Sequence, residues 1–166
     1  DLLEFDELFE LEFDELFELE FEELLLQETI SKIVASGGVI VAAAGGEPVL
    51  GGNTGYPGRY EGVIAVSAVD IRLRPSRLAT RGAHIKFAAP GVGVVVAAPG
   101  GGYRLVDGTS FATPFITTAY AIGRKDAPKR DDLTTILSRA ARDLGAPGHD
   151  PVFGWGLVQY SALPKC

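Results

Sequence analysis

The sequence has 166 residues, of which 46% are hydrophobic and 22% charged, a balance typical of one globular domain with a substantial core. No apolar run reaches the length of a membrane span and the basic residues are scattered, so we expect neither a membrane nor a nucleic acid as partner. The net charge of −7 is unevenly distributed, because residues 1–27 carry 12 acidic and no basic side chains while the remainder carries 10 acidic and 15 basic ones.

The first 26 residues form an acidic repeat, in which "EFDELFEL" occurs at 4–11 and again at 12–19. A period of eight keeps the phenylalanines on no stable helical face and does not alternate as a strand does. Two interpretations stay open: an acidic interaction arm, or an artefactual repeat expansion that replaced native sequence. We therefore divide the chain into a low-complexity segment, residues 1–26, and a domain, residues 27–166. Because the sequence contains no methionine, we expect a fragment or a processed product.

From residue 27 onward, short apolar runs alternate with helical patterns. Apolar runs of strand length are typical of parallel strands that are covered on both faces. The sequence thus predicts an α/β fold with a mostly parallel sheet flanked by helices. We predict helices over residues 27–38, 110–124 and 131–143, the last capped by Asp131 and Asp132, and strands over 39–46, 62–70, 84–91 and 92–100, with a short strand before Asp107 and another near 153–160.

The stretch "DGTSFATPF", residues 107–115, places Ser110 where extended chain enters a helix. Unpaired N–H groups and the positive end of the helix dipole favour developing negative charge there, which suits a nucleophile whose attack creates an oxyanion. The same position suits a plain N-cap, for which serine is a preferred residue. Pro114 is expected in the first helical turn, which can spare an N–H. From these residues alone, both roles of Ser110 stay open.

Four segments follow one another in the order "VIVAAAGG", "GYPGRYEGVIAVSAVD", "FAAPGVGV" and "DGTSFATP". Together with the tail "RDLGAPGHDPVFGWGLVQ", they resemble the C-terminal half of the subtilisin-like serine peptidases, over about residues 27–160. The resemblance implies a parallel α/β sheet, a peptide or protein substrate, and Ser110 as the nucleophile.

The resemblance also implies a substrate-binding surface of small residues, which let a peptide lie close against backbone. It places Ala43, Ala44 and Gly45 on one wall of the pocket for the residue before the scissile bond, and Gly58 on the other. Tight packing at the end of a buried strand is an equally compatible reason for these small residues.

A nucleophilic serine needs a base, and the base needs an orienting carboxylate. In the family both come from the N-terminal half, from a "D-[ST]-G" and an "H-G-T" element, and neither string occurs here. The two histidines are His84, which we expect half-buried at the start of a strand, and His149. Although His149 is next to Asp150, adjacent loop residues point apart and the resemblance puts this loop away from the serine, so we expect neither histidine to be its base.

The second departure from the family is at the oxyanion position. The family places an asparagine after "AAAG", whereas this sequence has Gly46, and Asn53 is too far along the loop to substitute. Loss of such a donor removes about 3–4 kcal/mol of transition-state stabilisation, a magnitude carried over from a subtilisin.

Three functions therefore stay open: an inactive, truncated peptidase domain, a module that binds extended peptide, or one piece of a two-chain peptidase whose partner chain supplies the aspartate and histidine. Nucleotide binding is disfavoured, because no strand–GxGxxG–helix order occurs, and no zinc-ligand spacing is present. We expect no cofactor; the resemblance makes calcium possible, but no loop has enough carboxylates to assign a site. The resemblance implies a secreted or periplasmic location, although no signal peptide opens this sequence.

Overall fold

The central feature of the structure is a five-stranded sheet between two layers of helices and loops. The computed structural model describes residues 23–46, 55–124 and 130–163. In chain order the elements are helix α1 (23–35), strands β1 (Val41–Ala43), β2 (Ile64–Val69), β3 (Ile85–Pro90), β4 (Val94–Ala97) and β5 (Tyr103–Val106), helices α2 (Thr109–Gly123) and α3 (Arg130–Ala140), strands β6 (Ala141–Arg142) and β7 (Leu157–Val158), and a 3-10 turn (Tyr160–Ala162).

The strand order of the main sheet is β1-β2-β3-β7-β6. The first four strands are parallel to their neighbours, and only β6 runs antiparallel, against β7. All six residues of β2 are buried, as expected for a strand that is covered on both faces. The predicted α/β class with a mostly parallel sheet is confirmed.

Each face of the sheet has its own apolar core. On one face, Phe87 of β3 packs with Ile116 of α2 and Leu137 of α3. On the other face, Ile30 of α1 packs with Ala42 of β1 and Val63. Because β1, β2 and β3 are parallel, their carboxyl ends lie at the same end of the sheet, which we call the carboxyl edge.

Helix α1 ends at the predicted glycine stop. Gly37 has φ +84°, the N–H of Gly38 donates to Ile33 O at 2.9 Å, and the N–H of Gly37 donates to Val34 O at 3.0 Å. This pair of bonds is a Schellman motif, which needs a residue with positive φ. Helix α1 includes residues 23–26, which the sequence analysis assigned to the repeat of uncertain structure, because leucine and glutamate favour helix. The rest of the repeat lies outside the described residues.

Several predicted boundaries are wrong. Arg130 is already helical, so Asp131 and Asp132 lie within α3 and do not cap it. The helix stops at Ala140 instead of residue 143, because the next two residues pair with β7 as the unpredicted strand β6. The predicted strand over 92–100 and the short strand before Asp107 are both present, as β4 and β5, and they pair with each other in a separate antiparallel hairpin. The early end of α3 follows from the pairing of β6 with β7, a contact between residues distant in the sequence that has no local signature.

Truncation of Leu137 should destabilise the fold strongly. This side chain is fully buried between α3 and the sheet. We expect Leu137→Ala to lower the free energy of unfolding by about 3 kcal/mol, measured by urea denaturation, because it leaves a cavity in the core. Leu24→Ala, at a side chain that is 62% exposed, is the matched control and should change it by less than about 0.5 kcal/mol. Equal effects of the two substitutions would contradict this packing.

Candidate active site

Ser110 is exposed and is the second residue of α2. The N-cap position belongs to Gly108, and no side chain caps the helix, so the interpretation of Ser110 as a plain N-cap is wrong. Among the described residues, neither the hydroxyl nor the N–H of Ser110 has a hydrogen-bond partner. Both groups are therefore free for a ligand at the positive end of the helix dipole.

Pro114 lies deeper in α2 than predicted, since it is the sixth helical residue and not part of the first turn. A proline here cannot donate the N–H that would otherwise reach the Ser110 carbonyl. The hydroxyls of Thr113, Thr117 and Thr118 each donate to the carbonyl four residues back, and none of them donates to the Ser110 carbonyl.

A short chain of backbone hydrogen bonds positions the start of α2. The N–H of Gly108 donates to Gly91 O at 2.7 Å, and the N–H of Gly91 donates to Val69 O at 3.0 Å. A Cβ on Gly91 would lie 2.7 Å from Ala68 Cβ and 2.8 Å from Gly108 O, so only glycine fits. Ser110 is thereby held at the carboxyl edge, beyond β2 and β3. Gly91 was not predicted as a site residue, although a glycine directly after a buried strand is a signal for such a close backbone contact.

The four small residues predicted to line the substrate pocket are brought together at the carboxyl end of β1. A Cβ on Gly58 would lie 2.9 Å from Ala43 O, so the Gly58 backbone rests directly against this strand. The Thr80 hydroxyl donates to Ala44 O, and the Thr80 N–H donates to Gly45 O at 3.2 Å. Ala44 and Gly58 are buried, so tight packing accounts for their small size, and only Ala43 and Gly45 are partly exposed on this wall.

Gly46 follows this wall and offers no side-chain donor. A Cβ at Gly46 would lie 3.5 Å from Leu78 O. Leu78 and Asp107 line one depression of about 410 Å³, and Asp107 precedes Ser110 by only three residues. Neither Gly46 nor Ser110 lines this depression, but a Cβ on Gly46 would approach Leu78 O and Ser110 follows Asp107 closely in sequence. Because Gly46 follows β1 and Ser110 lies at the start of α2 at the same end of the sheet, we predict that their Cα atoms lie within about 10 Å.

The two histidines lie at the opposite edge of the sheet. The Nε2 of His149 lies 2.7 Å from Ile85 O, and since a carbonyl only accepts, this nitrogen carries the proton and donates it. Ile85 begins β3, whereas Gly91, which anchors the start of α2, directly follows its end. At about 3.3 Å per residue these two positions are roughly 20 Å apart, far beyond the reach of a general base.

His84 precedes Ile85 and is half-buried, in agreement with the expected strand-start position. Its Nε2 is buried and has no hydrogen-bond partner among the residues that the structure describes. Burial, followed by the charges of Arg59 and Lys86, lowers the pKa of His84 below its ordinary value of 6.5. The described structure therefore gives neither histidine access to Ser110.

The lowered pKa of His84 predicts a pH dependence of stability. The unfolded chain binds the proton more tightly than the folded one, so stability is full above about pH 6.5 and falls as the pH drops toward the folded-state pKa. We expect the melting temperature to fall more between pH 7.5 and 5 in the parent chain than in His84→Gln. Parallel pH profiles in the two proteins would contradict this prediction.

Two carboxylates lie at the same edge as Ser110, and both are engaged. Asp70 forms an ion pair with Arg74 at 2.7 Å and accepts two backbone N–H groups, of which that of Arg74 contributes most to lowering its pKa. Asp107 accepts the N–H of Gly93 at 2.6 Å.

In the described ranges, no three His, Cys, Asp or Glu side chains are placed to hold a metal ion, and none of the helices is long and apolar enough to cross a membrane.

Comparisons with known proteins place the chain in one family. The Subtilase family model matches residues 22–156. Alkaline elastase YaB of Bacillus sp. (strain YaB) is 34% identical over 142 residues, which are 84% of this chain and 36% of the relative. Subtilisin DY of Bacillus licheniformis is 36% identical over 144 residues, which are 84% of this chain and 52% of the relative.

A comparison with solved structures supports the fold described above. A solved structure titled "Crystal Structure of a Lanthipeptide Protease" superposes with a TM-score of 0.72 at 23% identity, over 82% of this chain and 53% of that chain. The chain thus spans between about a third and a half of the length of these relatives. Because the family match covers most of the sequence, the chain belongs to the subtilase family.

Proposed function

We propose that this chain is the serine-bearing part of a subtilase peptide-cleaving site, which binds extended peptide but cannot activate its nucleophile with its own residues. Ser110 is the nucleophile, and its backbone N–H is a donor to the oxyanion that forms when the hydroxyl attacks a carbonyl. The observation that carries the proposal is the position of Ser110, exposed at the start of α2 and at the opposite edge of the sheet from both histidines.

The peptide-binding surface is the wall at the end of β1. Ala43 and Gly45 are partly exposed and present only backbone and a methyl group, so an extended substrate can approach closely, as in strand-addition complexes, while Ala44 and Gly58 are buried and pack the wall from within. The substrate is accordingly a peptide or an unfolded segment of a protein.

The general base and its orienting carboxylate would come from polypeptide outside residues 1–166. A serine hydroxyl without a base stays protonated and is a weak nucleophile at neutral pH. The two sources are a longer form of the same chain and a separate partner chain, and the activity of either assembly is hydrolysis of a peptide bond.

Gly46 favours a second candidate function, peptide binding without turnover. Since this residue supplies no side-chain amide, the oxyanion would rely on backbone donors alone. A chain of this kind would hold a peptide at the same wall and release it unchanged.

Peptide binding tests the proposal without requiring turnover. We expect a fluorescein-labelled extended decapeptide to bind the Ser110→Ala variant as it binds the parent chain, measured by fluorescence anisotropy. Ala43→Leu should weaken binding at least tenfold, because its larger side chain intrudes on the wall, and so should Gly58→Ala, because its Cβ would lie 2.9 Å from Ala43 O and displace this part of the wall. Ala146→Val, at an exposed residue of another loop, is the control. Unchanged affinity in either wall variant, with folding verified by circular dichroism, would contradict the proposed binding surface.

A further inference from the structure

A depression lies at the opposite end of the sheet from Ser110, where β2 and β3 begin. Its volume is about 380 Å³, within the range of about 300–1,000 Å³ that small-molecule sites occupy. It is bounded by the starts of these two strands, by α3 and by the loop before β7, and its lining includes Glu61, Val63, Ile64, Lys86 and Trp155. We call it the Trp155 depression.

Trp155 gives this depression an aromatic wall whose position is fixed. Its backbone N–H donates to Lys86 O at 2.9 Å, and its ring contacts the ring of His149 at an interplanar angle of 71°, with 5.2 Å between the ring centroids. His149 is held in turn by its hydrogen bond to Ile85 O. Trp155 nevertheless keeps 39% of its surface exposed, so the ring of a ligand can pack against the indole.

Glu61 and Lys86 give the lining one charge of each sign. Neither side chain forms an ion pair with any described residue, and they do not pair with each other. Val63 and Ile64, between the charged groups in the list of lining residues, are buried and apolar and offer no counter-charge. A lining with one unpaired charge of each sign complements a ligand that carries both charges better than a simple anion or cation.

We propose that the Trp155 depression binds a free aromatic α-amino acid as its zwitterion. The ammonium group of the ligand contacts Glu61, its carboxylate contacts Lys86, and its ring packs against Trp155. The two charged contacts orient the ligand, and the aromatic contact supplies the apolar area. Since Ser110 lies at the other end of the sheet, this inference goes beyond the peptidase function and does not depend on it.

The fluorescence of Trp155 tests the proposal, because this residue is the only tryptophan in the sequence. The full chain is titrated with L-phenylalanine, with 3-phenylpropanoate, which lacks the ammonium group, and with 2-phenylethylamine, which lacks the carboxylate. We expect saturable binding of L-phenylalanine and about fivefold weaker binding of each analogue, the factor that one exposed ion pair contributes. A parallel calorimetric titration detects binding at any other place. Equal affinities for the three compounds, no binding, or heat of binding without a change in Trp155 fluorescence would overturn the proposal.

Two charge variants assign the two contacts separately. Glu61→Gln should remove the preference for L-phenylalanine over 3-phenylpropanoate, and Lys86→Gln should remove its preference over 2-phenylethylamine, while each variant keeps the other preference. Arg72→Gln, at an exposed arginine elsewhere, is the charge control and should keep both preferences. Ala43→Leu should also keep both, although it weakens peptide binding at the wall. Preferences that survive the two charge variants, or that are lost in Ala43→Leu, would contradict the proposed site.

Discussion

Peptide hydrolysis by the polypeptide of residues 1–166 is expected to be indistinguishable from that of its Ser110→Ala variant. Neither histidine can take the Ser110 proton, because His149 donates to Ile85 O at one end of β3 and α2 begins beyond the other. In subtilisin, loss of the catalytic histidine lowers kcat on the order of a millionfold, and we carry that magnitude over. The glycine at position 46 removes about 3–4 kcal/mol more.

The measurement is the release of p-nitroaniline from a peptide anilide, with the Ser110→Ala variant purified in parallel to correct for contaminating proteases. A parent chain that exceeds the variant more than a hundredfold would show that a base is present within these residues. Equal rates, together with retained peptide binding, agree with the proposed function.

Substitution of Gly156 by alanine should be among the most destabilising single changes in this chain. Gly156 has φ +102°, and a Cβ there would overlap the carbonyl oxygen of Arg142, where β6 pairs with β7. Backbone strain of this kind amounts to about 1–3 kcal/mol before the overlap with a fixed backbone atom is added. We expect a loss of at least about 3 kcal/mol, which lowers Tm by roughly 6–12 °C in a domain of this size.

Gly148→Ala separates backbone strain from steric overlap as the cause of the lost stability. Gly148 has φ +82°, but no atom lies within 4 Å of the position that a Cβ would take, so its substitution adds strain without overlap. We expect a loss of about 1 kcal/mol there, measured by the same thermal denaturation. Equal melting temperatures of Gly156→Ala and Gly148→Ala would contradict the close approach of Gly156 to β6.

Local sequence signals predicted the parts of the fold that depend on local physics. The glycine stop of α1 at Gly37 is an example, because its Schellman bonds involve only neighbouring residues. Strand β2 was recognised because six apolar or small residues in a row suit a strand buried on both faces. The family and its fold class followed from four motifs in order, and both are confirmed.

The features of the fold and the site that were not predicted depend on contacts between residues that are distant in the sequence. Strand β6 has only two residues and forms by pairing with β7. Two residues are too few to show the alternating pattern that predicts a strand. The depth of Pro114 in α2 follows from where Gly108 bonds to Gly91, a contact across 17 residues. At the site, the sequence predicted Ser110, the small residues of the wall and the absence of a histidine base, but the distance between the histidines and Ser110 needed the position of each along β3.

The central claim is that neither histidine of this chain activates Ser110. The most direct test is the second-order rate constant for modification of Ser110 by a fluorophosphonate, measured by intact mass from pH 5 to 9 in the parent, His84→Gln and His149→Gln proteins. We predict slow modification at the same rate in all three, without an inflection between pH 5 and 8. Rapid stoichiometric labelling of the parent, or a tenfold or larger fall in either histidine variant, would contradict the claim.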